Sequence, residues 1–211
     1  MIFNTHSNLE GQHAFLGASK YHWLNYNEDL LKLRYLQQNA TLVGSALHNL
    51  AHECITNKIK LSKSMDRHMV MLELAKYGLL NSAVNVDDIL ATLVPFVNDA
   101  IGFRMNSEQV LYYSENCFGT ADAISFNFNT LRIHDYKSGS IKAHMEQLMI
   151  YAALFCLEYN IKPESIDKIE LRIYQSSEVL FHNPAPEEIS TIMDKIIESD
   201  KIIETIKSKG V

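Results

Sequence analysis

Apolar positions change their spacing near residue 110. Before it they recur every three or four residues; after it they mostly alternate, which predicts helices followed by a sheet. Across residues 40–55, Val43, Leu47, Leu50, Ala51 and Cys54 share one helical face. A short helix through Lys20, Trp23 and Leu24 is expected with Ser19 as its cap. Two more helices are expected, over 66–80 and from Asp87 onward, the latter interrupted or ended by Pro95.

Residues 110–114, 121–128 and 131–136 then read as three consecutive strands, with a turn over 127–130. A helix over 142–160 follows. Residues 166–174 alternate at period two, and 179–182 offer a short partner strand. The last helix has Pro186, Glu187 and Glu188 in its first turn, with Ile189, Ile192, Met193, Ile196 and Ile203 as its apolar stripe. The expected class is α/β: a mixed sheet of four to five strands flanked by helices, with an N-terminal helical region. One domain is expected over 1–211, mainly helical in 1–105, with the sheet core and its flanking helices in 106–211.

Composition narrows this picture. The 211 residues are 47% hydrophobic, enough to bury one core. With 21% charged residues, 8 Gly and 4 Pro, nothing points to extended disorder. No apolar run approaches the roughly 20 residues of a membrane span, and the opening residues lack the basic-then-apolar pattern of a signal peptide. A cytoplasmic protein without a membrane partner is therefore expected. Cys54, Cys117 and Cys156 are odd in number, widely spaced and in apolar contexts, which favours buried free thiols over a disulfide or zinc site. The net charge of −6 argues against a protein that coats DNA regardless of sequence, since such proteins are basic. It leaves room for an enzyme with one local groove, because carboxylates in a cation site are neutralised on binding.

The chemistry concentrates around Asp135. Side chains two apart on a strand share a face, so Asp135 and Lys137 point the same way. Pairing of 121–128 with 131–137 would bring Asp122 close to Asp135 across the ladder. Two hard oxygen ligands with waters and a phosphate suit Mg²⁺ or Mn²⁺, and a lysine beside them can orient or activate the attacking water. A surface hairpin carrying a Lys–Asp ion pair fits the same three residues. In the next helix Gln147 and Tyr151 share a face, which a short strand-to-helix connection would return over the strand ends; a polar helix rim is the plainer reading. His48 borders the apolar stripe of the 40–55 helix, where a histidine is commonly a satisfied core-edge residue. His48 and His52 are four apart, as in a metalloprotease helix, but no glutamate follows His48 directly. Lys58, Lys60, Lys63 and Arg67 form a basic cluster able to track a DNA backbone or simply to solvate a connector. Trp23, with Tyr21 and Tyr26, fits either stacking on a splayed base or packing in the helical region.

In order along the chain stand Gly44…His48, Gly119…Asp122, Asp135-Tyr136-Lys137-Ser138-Gly139 and Gln147…Tyr151. This series resembles the RecB-like branch of the PD-(D/E)xK nuclease superfamily, over roughly residues 40–175. His13 to Trp23 is also similar to the opening of phage-encoded members. The resemblance implies a restriction-endonuclease-like core and metal ligation by His48, Asp122, Asp135 and the Tyr136 carbonyl. It makes Lys137 the catalytic lysine, with Gln147 and Tyr151 contacting the scissile strand or steadying Lys137 and the water. The activity it implies is a Mg²⁺- or Mn²⁺-dependent deoxyribonuclease, an exonuclease on DNA ends or single-stranded segments in phage recombination or repair, leaving a 5′-phosphate and a 3′-hydroxyl. Some relatives carry an iron–sulfur cluster; no cysteine follows Cys156 and Asn25-Tyr26 stands where phage relatives can have one, so no cluster is expected. The alternative from another class is a nucleic-acid-binding or interaction protein on the same scaffold with little or no catalysis. A homo-oligomer and a recombination or replication partner are both left open.

Overall fold

The change of period is realised as N-terminal helices followed by a five-stranded sheet, in a computed structural model that describes residues 7, 14–62, 66–79, 84–139 and 141–209. The chain falls into two units, Met1–Thr41 and Leu42–Val211. In the first, the expected short helix is a 3₁₀ helix, Ala18–Asn25; Gly17 and not Ser19 occupies the cap position, and no side chain bonds there. Trp23 is half-buried and donates its indole N–H to the Gly17 carbonyl at 3.1 Å, while Tyr21 is exposed against His22. Helix α1 (Glu28–Thr56) starts in this unit, where Asn27 Oδ1 accepts the Leu30 N–H at 2.8 Å, and runs on into the second.

In the second unit the face read from the sequence is the buried one: Val43, Leu47, Leu50, Ala51 and Cys54 of α1, joined by Ala46 and Ile55. Helix α2 (Arg67–Lys76) is shorter than expected and gives way to Gly78 in the left-handed region at φ +71°, a common helix stop; Leu80 lies outside the described residues, as does Lys63. Helix α3 (Val86–Gly102) continues through Pro95. Leu93, Phe96, Val97 and Ala100 around it are all buried, and that packing outweighs the missing backbone hydrogen bond. Asn85 caps α3 by accepting the Asp87 N–H at 3.0 Å.

Strands β1 (Asn106–Ser114), β2 (Cys117–Asn127), β3 (Thr130–Lys137), β4 (Lys168–Gln175) and β5 (Glu178–His182) lie in the sheet in chain order. All neighbours are antiparallel except β3 and β4. A parallel neighbour needs a crossover, and helix α4 (Glu146–Glu158) supplies it. Helix α4 begins four residues later than expected because the segment before it is tied to the end of β4. Gln175 donates to the carbonyls of Gly139 (2.6 Å) and Ile141 (2.7 Å), and accepts the Ala143 N–H at 3.1 Å. Helix α5 (Pro186–Ser208) ends the described chain; Ile189 is buried and Ile192, Met193 and Ile196 partly so, while Ile203 of the expected stripe stays exposed.

The fold is thus α/β, with helices on both faces of the mixed sheet. One core joins α1, α2 and α3 to Tyr136 and Tyr174; the other joins α4 and α5 to Leu131, Ile133, Leu171 and Ile173. Strands β3 and β4 are covered on both sides, so β4 is nearly continuously buried and does not alternate as its sequence suggests. Buried between Tyr174 and Phe103, His134 has its pKa lowered to about 3 by burial and by Arg172 and Arg132. Among the described residues no helix is long and apolar enough to cross a membrane.

The β2–β3 turn holds Phe128 (φ +51°) and Asn129 (φ +53°) both left-handed, as a two-residue hairpin of this hand requires. Phe128 is 98% exposed, so its ring contributes nothing to the core. Phe128→Asn, which tolerates this conformation better, is expected to raise stability by about 0.5–1 kcal/mol in urea unfolding. Unchanged or lower stability would mean that the turn is not strained.

Candidate active site at the end of the central strand

The site forms where β2 and β3 part. Their ladder runs from Asn127↔Thr130 to Ala123↔His134, and the next opposed pair in that register is Asp122 and Asp135. Instead of continuing the ladder, the Asp122 side chain accepts the Tyr136 backbone N–H at 2.8 Å. Asp135 and Lys137 extend the Leu131–Ile133 row that faces α4. Lys137 Nζ lies 3.0 and 2.9 Å from the two Asp135 oxygens and donates to Gln147 Oε1 at 3.1 Å. Gln147 in turn donates to the Tyr151 hydroxyl at 3.1 Å. The i, i+4 pair on α4 therefore extends the strand's ion pair into a chain of four side chains.

Helix α1 reaches the same place from the opposite face. His48 Nδ1 is 3.5 Å from Asp122 Oδ2, and its ring stands edge-on to Tyr136 at 5.6 Å. The two glycines of the sequence series are explained by contact. A Cβ on Gly119 would lie 2.9 Å from Tyr151 Cε1, and one on Gly44 would lie 3.2 Å from Ser138 Oγ. Each glycine lets a neighbouring element close on the site. Beside it a cleft of about 420 Å³ opens at the C-terminal end of β3, lined by Val43, Asp88, Thr92, Lys137 and Ser138 among others. The ends of parallel strands are where ligands bind in open α/β sheets.

The electrostatics follow from burial. Asp122 and Asp135 are both pushed well above the ordinary carboxylate range: desolvation is the main cause, and the Asp122 charge adds to it at Asp135. Lys137 and, for Asp122, the Tyr136 N–H pull the other way. Burial lowers the pKa of His48 against the opposing charges of Glu108 and Asp135, which keeps the imidazole neutral and able to donate a lone pair. Burial also raises Tyr151, so its hydroxyl remains a donor.

The structure brings together His48, Asp122, Asp135, Tyr136, Lys137, Gln147 and Tyr151. His52 and Glu53 are not among them; His52 is half-buried on α1 and Glu53 is exposed. Lys58 and Lys60 are exposed beyond α1, and Arg67 pairs with Asp87 at 2.5 Å. Cys54, Cys117 and Cys156 are free thiols, and burial pushes Cys54 and Cys156 up to about 11. One residue of the site stands outside the sequence motifs. Glu108 on β1 puts Oε1 4.0 Å from His48 Nδ1, and one ligand atom each from His48, Glu108 and Asp122 fall within 4.8 Å of one another. Its signal was the β1–β2 register, which sets 108 opposite 122, but a strand read from residue 110 stops short of it.

The chain belongs to DUF2800, a family of proteins of unknown function whose profile matches residues 13–202. No curated protein and no solved structure matches it.

Two measurements probe this geometry. Folding raises the Asp122 pKa above its unfolded value, so this group opposes folding above the usual carboxylate range, and the penalty disappears as pH falls through that range. Asp122→Asn keeps an acceptor for the Tyr136 N–H and removes the charge. In chelator it is expected to be more stable than wild type at pH 7.5, by on the order of 1–2 kcal/mol, with the gap closing toward pH 4. A gap independent of pH would contradict the raised pKa. Separately, Gly119→Ala should cost about 1–3 kcal/mol by overpacking, and much less in a Tyr151→Ala background. Additive losses in that cycle would show that the two do not meet.

Proposed function

We propose that this DUF2800 chain is a divalent-cation-dependent deoxyribonuclease of the RecB-like PD-(D/E)xK type, with a restriction-endonuclease-like core, acting from DNA ends in phage-type recombination or repair. The observation that carries the reading is the meeting, at the end of one central strand, of every member of the sequence series: His48 from α1, Asp122 from β2, Asp135 and Lys137 from β3, and Gln147 and Tyr151 from α4. Each motif alone has an ordinary structural explanation. A surface ion pair, however, would not bury Asp135 to 1% exposure with a second carboxylate beside it.

The donor set suits a hard cation: one imidazole nitrogen and carboxylate oxygens, with an excess of buried negative charge. His48, Asp122, Asp135 and the Tyr136 carbonyl would hold Mg²⁺ or Mn²⁺. Such a cation, when bound, polarises the scissile phosphate and acidifies a coordinated water. The chain's own contribution is positional. Lys137, fixed between Asp135 and Gln147, has a further donor to orient the attacking water and to offset charge that develops on the phosphate. Gln147 and Tyr151 hold Lys137 in that pose. Attack on phosphorus with departure of the 3′-oxygen leaves a 5′-phosphate and a 3′-hydroxyl.

Cleavage is expected with Mg²⁺ or Mn²⁺, weak with Ca²⁺, and absent in EDTA. Linear duplex should be degraded while covalently closed circles persist; rapid linearisation of circles would point to an endonuclease. Lys137→Ala should reduce cleavage by ~10²-fold or more while Mn²⁺ affinity holds or rises slightly. Asp135→Ala should lose both. Mn²⁺ calorimetry beside a cleavage assay reads these outcomes. EDTA-resistant cleavage by pure protein, or full activity of Lys137→Ala, would sink the mechanism. DNA binding without any cleavage would favour an interaction protein on the same scaffold.

A further inference from the structure

We infer that Glu108 is a further ligand of the cation, supplied by β1 and outside the motif series; the inference rests on the nuclease reading above. Glu108 comes from a fourth chain segment, after α1, β2 and β3, and its carboxylate converges with His48 Nδ1 and Asp122 to within 4.8 Å. Atoms that bind one small cation at about 2.0–2.2 Å each lie no more than about 4.4 Å apart, so the three need to draw in only slightly. The charge balance points the same way. Among the described residues no Lys or Arg pairs with Glu108; its one partner at ion-pair distance is the His48 imidazole, 4.0 Å away. Lys137, the nearby ammonium, is engaged by Asp135 and Gln147. Two carboxylates, Glu108 and Asp122, therefore meet at His48 beside the Asp135–Lys137 pair, and an exogenous cation is what would balance them.

The backbone is arranged to the same end. Ser107↔Ala123 and Gln109↔Ala121 pair across the ladder, while Glu108 between them is left-handed at φ +53°. A glutamate seldom adopts that conformation inside a strand. Ser107 Oγ donates to the Asp122 carbonyl at 3.1 Å, so the backbone of Asp122 is anchored to the very segment that presents Glu108. Asp122 thus has both its main chain and its side chain fixed, the latter by Tyr136 on β3.

The test uses Mn²⁺ alone, with the whole chain, in calorimetric titration and in thermal unfolding with and without the metal. Glu108→Gln preserves size and removes the charge. It should weaken Mn²⁺ binding by roughly tenfold or more and shrink the metal-induced rise in Tm. In EDTA it should melt at or above wild type, because a like charge has gone. Glu108→Asp, with the charge on a shorter arm, should fall between the two in affinity. If both variants bind Mn²⁺ as wild type does while Asp122→Ala loses it, Glu108 is no ligand and the nuclease reading stands. Glu108 is equally excluded as a ligand if both variants only lower the Tm in EDTA and leave affinity untouched. A wild-type protein that takes up no Mn²⁺ would overturn the nuclease reading and this inference with it.

Discussion

The hydrogen bond from the Tyr136 N–H to the Asp122 carboxylate is the contact on which the rest of the site depends. A β-ladder that continued past Ala123↔His134 would close β2 on β3 and leave no space between their carboxylates. By accepting from the neighbouring strand with a side chain, Asp122 satisfies a buried backbone donor that would otherwise be costly to leave unmade, and the strands separate without an orphaned N–H. The gap is then lined by Asp135 and Lys137 from one strand and reached by His48 from the face opposite α4. Gly44 and Gly119 matter for the same reason: each removes the side chain that would hold a neighbouring element away from this opening.

An acidic chain with net charge −6 is an unexpected candidate for handling a polyanion. The distribution of charge resolves this. The buried carboxylates sit at one end of β3, while Arg132 and Arg172, stacked on Phe103, sit further back along β3 and β4 against Glu170 and Asp99. The arginines are thus neutralised within the fold. Under the proposed reading, a captured cation and Lys137 supply the attraction for a phosphate at the site, so affinity there is coupled to metal.

Much of the site was legible because two periodicities determine faces without any knowledge of packing. Period two put Asp135 beside Lys137, and 3.6 put Gln147 beside Tyr151; a tight turn at 127–130 set the register that opposes Asp122 to Asp135. What escaped were features decided by neighbours distant in sequence. Pro95 reads as a helix end until Leu93, Phe96 and Val97 around it are found buried in the core. The start of α4 is not legible locally because Gln175, thirty-odd residues later, ties down the segment before it. Glu108 escapes notice because residues 106–109 are all polar, so no apolar alternation marks the start of β1.

Gln175 has a consequence for how this fold can vary. The polypeptide leaves the sheet after Lys137, runs out through α4 and returns along β4, and Gln175, the residue paired with Lys137 in the parallel register, grips the outgoing segment at Gly139, Ile141 and Ala143. The crossover is therefore a closed circuit, clasped beside the site. Length is more readily added at its far side, between α4 and the 3₁₀ turn Pro163–Ser165, which Asn129 holds through the Ser165 carbonyl. There an insertion lengthens the circuit without opening the clasp, whereas a single residue gained near Gly139 would shift the lysine, the glutamine and the tyrosine out of phase with one another.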